Sequence, residues 1–292
     1  MNQLRTVALL GFLSALLITV SYWLIGGWTG AMIGVVIAAV TNLSSWYFSD
    51  RIALAAYQAQ PLSPQDAPEL YQMVQNLTQK AGLPMPTLFI VPTDAPNAFA
   101  TGRDPQHAAV AVTQGILNLL PPDELEAVIA HELSHVRNRD TLTQAVAATI
   151  AGAISFLAQT VSYSMMYMNS SRSQREGGPN PLGLLLTIFL APVAASVIQM
   201  SISRTREFEA DAGSARLTGN PRALARALQR LETIGRQIPL RANPSFEPLL
   251  IINPFSGQFL ANLFATHPTT KARIENLMKL EAELNSTSFT GR

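Results

Sequence analysis

The 292-residue sequence contains no cysteine. Disulfide bonds, thiolate metal sites and a cysteine nucleophile are therefore excluded, and any bound metal must be held by histidine and carboxylate side chains. Charged residues are also scarce, because they make up only 13% of the chain and give a formal net charge of +1. A nucleic-acid-binding protein needs a basic surface that neutralises phosphates, so the composition argues against a nucleic-acid partner.

The few charged residues are absent from three long stretches. Residues 6–49, 141–171 and 177–203 contain no Asp, Glu, Lys or Arg, and hydrophobic residues make up 48% of the chain. About 20 apolar residues are needed to cross the hydrocarbon core of a bilayer as a helix. The pattern therefore predicts four membrane spans, at residues 6–25, 31–49, 142–167 and 182–203.

Some of these spans admit another interpretation. A cleaved signal peptide could account for the first span alone, but a second apolar stretch follows at once and no small-residue cleavage site is obvious. The last two spans contain proline or glutamine, so a pair of buried helices in a soluble domain is the alternative there. The residues concerned are Gln144, Gln159, Pro192 and Gln199.

Arginines near the ends of the predicted spans indicate their orientation. Arg172 and Arg175 lie between the third and fourth spans, whereas six arginines lie on the opposite side: Arg5, Arg51, Arg137, Arg139, Arg204 and Arg206. The positive-inside rule therefore predicts a multi-pass protein of the cell (inner) membrane with both termini in the cytoplasm. The chain then divides into an N-terminal transmembrane hairpin (1–50), a cytoplasmic catalytic part (51–140), a second hairpin with a short external loop (141–203) and a cytoplasmic helical part (204–292).

The two cytoplasmic parts combine helices with a small sheet. Apolar periodicity predicts helices at residues 64–81, 124–138, 204–217, 221–235 and 269–284, and short β-branched runs predict strands at 87–91, 97–101 and 108–113. The sequence Pro121-Pro122-Asp123 starts the second of these helices, since proline in the first turn loses no hydrogen bond. The expected fold is a mainly α membrane protein with about four transmembrane helices and a cytoplasmic α+β catalytic domain.

One of the predicted helices contains a His-Glu-x-x-His motif. His131 and His135 are four residues apart, so both imidazoles lie on one helix face and can reach one metal ion. Glu132 is one residue further round the helix, where it can accept a proton from a water held by the metal and pass it to the leaving amine. Chance occurrence of a five-residue pattern is the alternative, but burying two histidines and a glutamate among apolar residues is costly without a function.

A catalytic zinc ion has a third protein ligand, which the motif does not supply. The metzincin continuation is excluded because Asn138 and Thr141 occupy the places of its glycine and third histidine. The acidic residues of a later helix are better candidates: Glu207, Glu209 and Asp211. Glu207 and Asp211 share a face, so one can bind the metal while the other orients a histidine. A solvated acidic helix is the alternative, and the sequence does not rank Glu207 above Glu209.

The predicted topology is consistent with this pairing. Two membrane crossings separate His135 from Glu207, so both residues fall on the same side of the bilayer. Both also lie within a few residues of a predicted span, which at 1.5 Å per helical residue puts the metal about 10 Å from the membrane surface. We therefore expect the substrates to be membrane proteins or their juxtamembrane segments.

These features resemble the HtpX family of membrane zinc metalloproteases, which is related to the CaaX prenyl proteases. The resemblance covers nearly the whole chain. It includes the N-terminal hairpin, the segment Asn97-Ala98-Phe99-Ala100-Thr101-Gly102, the motif at residues 131–135, two further spans, Arg206-Glu207-Phe208 followed by Ala210-Asp211, and Thr266-His267-Pro268 followed by Arg273. It implies a zincin-like (gluzincin) catalytic domain that binds one Zn²⁺ per subunit.

The resemblance also implies roles for individual residues. Glu207 corresponds to the third zinc ligand, and Asp211 to a carboxylate that orients a ligand. His267 and Arg273 correspond to residues that help the transition state; the alternative is a loop residue before a helix and a surface arginine. Residues 97–101 correspond to a strand that pairs with extended substrate through its exposed edge, as suits a family implicated in quality control of damaged membrane proteins under stress.

Three hypotheses for the function follow. The leading one is a zinc endopeptidase that acts on misfolded membrane proteins or unfolded proteins at the cytoplasmic surface of the lipid bilayer. The second is a specific processing protease of the prenyl protease type, which four spans favour less than a larger membrane cavity would. The third is a membrane scaffold with a structural metal, which would not need Glu132.

Overall fold

The computed structural model describes residues 2–22, 26–148, 204–235, 237 and 268–290. The helices, numbered in chain order, are α1 (Asn2–Ser21), α2 (Gly27–Tyr47), α3 (Ser49–Ala56), α4 (Pro68–Ala81), α5 (Gln114–Leu119), α6 (Pro122–Asn138), α7 (Arg204–Thr218), α8 (Pro221–Gly235) and α9 (Thr270–Thr290). The strands are β1 (Gln60–Pro61), β2 (Thr87–Val91), β3 (Ala98–Thr101) and β4 (Ala109–Thr113). Residues 105–107 form a 3₁₀ turn, and residues 141–148 are helical.

The first two helices pack as a hairpin. A Cβ atom at Gly34 would lie 2.8 Å from the Cα of Ile18, so glycine permits the close approach of α1 and α2. The Asn42 amide donates hydrogen bonds to the Leu10 carbonyl and the Ser14 hydroxyl across the pair. Within the described residues, α2 is long and apolar enough to cross a membrane, while α1 contains a shorter apolar stretch, Leu10–Thr19. The predicted span at 182–203, and most of the one at 142–167, lie outside the described residues.

The small sheet has the strand order β1-β2-β4-β3. Strand β2 is parallel to β4, and the other two pairs are antiparallel. The three predicted strands are present with boundaries that differ by at most one residue. Strand β1 was not predicted, because two exposed residues have no detectable periodicity. Strand β3 is an edge of this sheet, although all four of its residues are buried.

The two faces of the sheet contact different helices, because successive strand side chains point in opposite directions. Ala98, Ala100, Val110 and Val112 face the main core, in which α4, α6 and α8 also take part. The opposite face packs on α3 in a smaller cluster, formed by Ala53, Leu54, Tyr57, Val91, Phe99, Ala109 and Ala111. Helix α3 was not predicted, because eight residues next to an apolar span show little periodicity of their own.

The predicted helices of the catalytic part are present with small shifts at their ends. Helix α4 begins at Pro68 instead of residue 64, because Asp66 accepts hydrogen bonds from Ser63 and closes a turn before the helix. Helix α8 is held on α6 by the buried Glu124, whose oxygens lie 3.2 Å and 2.8 Å from Nε of Arg226 and Arg230. Helix α6 also contacts α4, α7 and strand β3, so it lies at the centre of the described helices.

Candidate metal centre

The two histidines of the motif face each other at the centre of the catalytic part. Helix α6 begins with Pro122, which fits the first helical position, and carries both imidazoles on one face. His131 and His135 are buried, and their Nε2 atoms lie 3.2 Å apart. The prediction that both imidazoles share one helix face is therefore confirmed, because the spacing of four residues brings the two nitrogen donors to one point.

Helix α7 brings Glu207 to the same point. Its carboxylate oxygens lie 3.7 Å from Nε2 of His131 and 3.6 Å from Nε2 of His135, and the side chain is buried. Glu209, two residues further along α7, is exposed to solvent. The tertiary structure therefore brings Glu207 to the histidines and leaves Glu209 outside.

The donor atoms of these three residues have separations that suit a metal ion. They all lie within 4.8 Å of one another. Around a tetrahedral zinc ion with bonds of about 2.0–2.1 Å, neighbouring ligand atoms lie roughly 3.4 Å apart. The two Nε2 atoms lie 3.2 Å apart, one Glu207 oxygen lies 3.7 Å from His131, and the other lies 3.6 Å from His135. Each of these distances is close to that value. Two imidazoles and one carboxylate are a donor set of catalytic zinc sites, which keep a fourth position open for water or substrate.

The Asp211 carboxylate and the Arg273 guanidinium contact the His131 ring at its Nδ1 atom. Its Nδ1 lies 3.0 Å from the Asp211 carboxylate, which also accepts hydrogen bonds of 2.9 and 2.6 Å from Arg273. Burial alone would raise the pKa of Asp211, but the Arg273 charge and the hydrogen bond to His131 lower it. Arg273 is only 1% exposed. The alternative of a surface arginine is therefore wrong, and Asp211 keeps the His131 ring oriented.

His135 has an equivalent support that the sequence reasoning missed. Its Nδ1 lies 3.1 Å from the buried Asp140 carboxylate, and Nη1 of Arg206 lies 3.6 Å from the other Asp140 oxygen. Arg139 adopts a left-handed conformation with φ of 58°, which ends α6 and turns the chain back. The Asp140 amide then donates to the His135 carbonyl. An acidic residue just beyond the helix with the His-Glu-x-x-His motif was the available signal.

Charges around His135 favour its protonated form when no metal is bound. Burial would lower its pKa, but the hydrogen bond to Asp140 and the charges of Glu207 and Glu132 raise the pKa to about 9. A metal ion must therefore displace a proton, so apparent metal affinity should increase as the pH rises toward 9.

Replacing Asp140 by Asn should weaken zinc binding by about 10- to 100-fold, because loss of a carboxylate that orients a histidine ligand has that effect. It should also flatten the pH dependence of binding, since the pKa of His135 falls. Chelator competition between pH 6.5 and 9 measures both. Asp123→Asn in the first turn of α6, at a side chain that is 49% exposed, is the matched control. Equal zinc affinities for the two variants would contradict this role.

Glu132 contacts the edge strand of the sheet. Its Oε2 accepts a hydrogen bond of 2.9 Å from the Ala100 amide, and the side chain is buried. Burial is the main cause of a raised pKa at Glu132. Asn97, just before β3, exchanges hydrogen bonds with Thr113 of β4 through its amide and carbonyl. Glu132 and residues 97–101 therefore belong to one connected unit.

The distance between α6 and α7 depends on a glycine. A Cβ atom at Gly213 would lie 2.3 Å from Oγ and 2.8 Å from Cβ of Ser134, the residue between the ligands of the motif. The next residue, Ser214, donates a hydrogen bond of 2.6 Å to the Ala127 carbonyl. Because α7 carries Glu207, this contact sets the separation of the Glu207 carboxylate from the two histidines.

Replacing Gly213 by Ala should lower stability by about 1–3 kcal/mol, the usual cost of overpacking a close contact. It should also weaken zinc binding, since α7 has to move away from α6. Thermal unfolding and zinc titration measure the two effects. Adding Ser134→Gly removes the clashing atoms and should restore zinc binding; a double variant as impaired as Gly213→Ala alone would refute this explanation.

The two remaining histidines behave differently. His107 lies on the 3₁₀ turn, where its ring pairs with Asp104 at 2.7 Å, and it is half exposed. It takes no part in the metal cluster. His267, predicted to help the transition state, lies outside the described residues. The next residues, Pro268 and Thr269, precede α9, which supplies Arg273 to the centre.

The chain is similar to known proteases over nearly its whole length. The profile of peptidase family M48 matches residues 64–281, which include every residue of the cluster. A protease HtpX homolog of Trichormus variabilis is 69% identical over 283 residues, covering 97% of this chain and 98% of that protein. A protease HtpX homolog of Pyrococcus furiosus is 48% identical over 281 residues, covering 96% of each. The crystal structure of S. mikatae Ste24p is 21% identical with a TM-score of 0.47, covering 83% of this chain and 57% of that one.

Proposed function

Because the chain belongs to peptidase family M48, and within it to the HtpX proteases, we propose that this metallopeptidase is a zinc endopeptidase that cleaves membrane proteins at their cytoplasmic parts. The observation that carries the proposal is the cluster of His131, His135 and Glu207 beside a carboxylate that touches the edge strand. The role in quality control of misfolded proteins comes from the resemblance to the HtpX family.

His131, His135 and Glu207 would hold the zinc ion. Through the ion that they hold, these residues would provide water of lowered pKa and a polarised peptide carbonyl. Glu132 accepts the proton of the attacking water and delivers it to the leaving amine. Asp211 and Asp140 keep the two imidazoles in the tautomer that presents Nε2 to the metal. Arg273 positions these groups, since its Nη2 lies 3.4 Å from Nδ1 of His131 and its Nη1 lies 3.9 Å from a Glu207 oxygen.

Residues 97–101 would position the substrate. A peptide that pairs with β3 offers a carbonyl oxygen to the Ala100 amide, which now donates to Glu132. The peptide would thereby replace Glu132 as the acceptor and release both carboxylate oxygens for proton transfer. Backbone pairing is independent of side chains, so the enzyme would accept many sequences. For His267 we propose stabilisation of the transition-state charge, as the HtpX resemblance implies.

The proposed location is the membrane, with the catalytic part on the cytoplasmic side. Support comes from α2, which has the length and composition of a membrane span, and from charge-free stretches in residues 141–203. The metal ligands His135 and Glu207 lie close in sequence to either end of that stretch. Substrates anchored in the bilayer would therefore reach the site by lateral diffusion.

Metal analysis and proteolysis of the detergent-purified protein test this function. We expect about one zinc ion per chain, and faster cleavage of a single-pass membrane protein than of its soluble tail alone. Loss of cleavage with a chelator and its recovery with zinc would support the metal assignment. A preparation without stoichiometric zinc would refute the proposal, and cleavage restricted to soluble unfolded proteins would refute its substrate class.

A further inference from the structure

The C-terminal end of α2 contacts the loop that follows the edge strand. The Arg103 guanidinium lies 4.7 Å from the ring centroid of Tyr47, the last residue of α2. Tyr47 also packs edge-on against Phe48, with centroids 4.9 Å apart, and Arg51 lies over the Phe48 ring. Both rings are substantially exposed, at 46% and 40%. Aromatic side chains with arginines at the end of an apolar helix are typical of the membrane–water interface.

Helix α3 makes a second connection between α2 and the edge strand. Only Phe48 separates the two helices, and its amide and carbonyl continue the backbone hydrogen bonding on either side. At the far end of α3, the buried Tyr57 packs against Phe99 of β3 with ring centroids 4.9 Å apart. A change in the position of α2 would therefore be transmitted to β3 through packed side chains.

The edge strand is in turn connected to the catalytic carboxylate. The Ala100 amide donates to Glu132, and the Gly102 carbonyl accepts a hydrogen bond of 3.0 Å from the Thr141 hydroxyl. Thr141 begins the helical segment that leads into the second charge-free stretch. The residues that follow β3 therefore contact the chain at two places where predicted membrane spans end or begin. These places are Tyr47, at the end of α2, and Thr141.

We propose that these contacts hold β3 and Glu132 at a fixed height above the bilayer, so that the enzyme selects the bond it cleaves by its distance from the membrane. Ala100 lies three residues before Arg103, so at about 3.3 Å per residue its amide is within about 10 Å of the contact between Arg103 and Tyr47. A substrate in extended conformation advances by the same rise, so this height corresponds to about three residues beyond the membrane surface. This inference rests on the proposed function, because it concerns how that same site chooses among bonds in an anchored substrate.

A fixed height would supply selectivity that β3 itself lacks. Pairing with a strand edge recognises the peptide backbone, which is the same at every position of an extended chain. The contacts of Tyr47 with Arg103 and of Tyr57 with Phe99 would restrict pairing to the stretch of substrate that passes β3 at that height. A substrate without a membrane anchor is free to slide, so every equivalent bond in it is available.

An anchored substrate with a uniform tail tests this proposal. The substrate is a single-pass membrane protein in phospholipid vesicles, followed by identical repeats that each contain the same cleavable bond. The same repeat peptide without the anchor serves as the soluble substrate, and mass spectrometry maps the cuts in both. The full-length wild-type enzyme should concentrate its cuts within about one repeat near the membrane in the anchored tail, and cut the soluble peptide at all repeats.

Two variants break the connection at different points. Insertion of Gly-Ser-Gly-Ser after Phe48 and the milder Arg103→Ala should spread the cuts along the anchored tail, while cleavage of the soluble peptide stays within about twofold of wild type. Arg216→Ala, at an exposed arginine of α7, is the matched control and should keep the wild-type pattern. Should the insertion prevent folding, Arg103→Ala with Tyr47→Ala provides the same test.

The outcomes separate this inference from the proposed function. Evenly distributed cuts by the wild-type enzyme, or an unchanged pattern in both variants, would overturn selection by distance while leaving a zinc endopeptidase. Failure of the zinc-loaded wild-type enzyme to cut either substrate would overturn the proposed function itself.

Discussion

Glu132→Gln should reduce the rate of peptide hydrolysis by about 10²- to 10⁴-fold, the usual contribution of a positioned general base. Gln has the same shape as Glu but cannot accept the proton. Its amide oxygen can still accept the hydrogen bond from the Ala100 amide that Glu132 accepts at 2.9 Å. The variant should therefore keep its fold and bind zinc stoichiometrically while losing turnover.

The measurement combines zinc content with kcat on a membrane-anchored substrate. Glu126→Gln is the matched control, because Glu126 lies on the same helix and is only half-buried. It should retain wild-type kcat. If Glu132→Gln retained full activity, Glu132 could not be the base. If it lost zinc as well as activity, its role would be that of a ligand or a structural residue.

Glu207→Ala should abolish stoichiometric zinc binding. A residue that only orients a ligand is worth about 10- to 100-fold in metal affinity, so loss of a ligand should cost more than about 100-fold. Activity should fall with zinc occupancy. Glu209→Ala removes the same group two residues away on α7, at an exposed position. It should bind zinc and cleave substrate like the wild type.

These two variants test the choice that the tertiary structure makes between neighbouring carboxylates. Zinc affinity from chelator competition and thermal unfolding of the metal-free protein should be measured together. The metal-free Glu207→Ala protein should stay folded, since Asp211 still neutralises the buried Arg273 at 2.6 Å. Equal zinc affinities for the two variants would exclude Glu207 as the third ligand.

The two predictions affect different parts of the site. Glu132 is expected to act on the proton, and Glu207 on the metal, so the first variant separates binding from chemistry and the second removes both. Asp140→Asn and Gly213→Ala are expected to have intermediate effects, because they move a ligand without removing it.

Local regularities in the sequence were sufficient to predict most of the helices and strands in the described residues. The apolar period of a helix predicted α6, α7 and α8 to within a residue or two of their ends, and β-branched runs predicted β2, β3 and β4. The spacing of His131 and His135 predicted their shared face, because four residues make about one helical turn. The absence of cysteine was enough to limit the metal ligands to histidine and carboxylate.

Features that depend on how elements pack could not be predicted in this way. Helix α3 and strand β1 are too short for a periodic signal, and their positions depend on the surface of the sheet. Glu207 and Glu209 are alike in sequence; the resemblance to a known family favoured Glu207, and the crossing of α6 and α7 distinguishes the two. Arg273 is a buried partner of Asp211 only because α9 packs on α7.

The sequence by itself determined the chemistry available to this protein: two imidazoles and a glutamate on one helix, acidic residues on another, and apolar stretches that suit a membrane. Only the tertiary structure decided which of those groups meet. The left-handed conformation of Arg139 places the Asp140 carboxylate next to Nδ1 of His135. The packing of α6 against β3 places the Glu132 carboxylate next to the Ala100 amide. The physical reason is that helical periodicity is set by neighbouring residues, whereas these contacts join residues whose positions depend on the packing of the whole core.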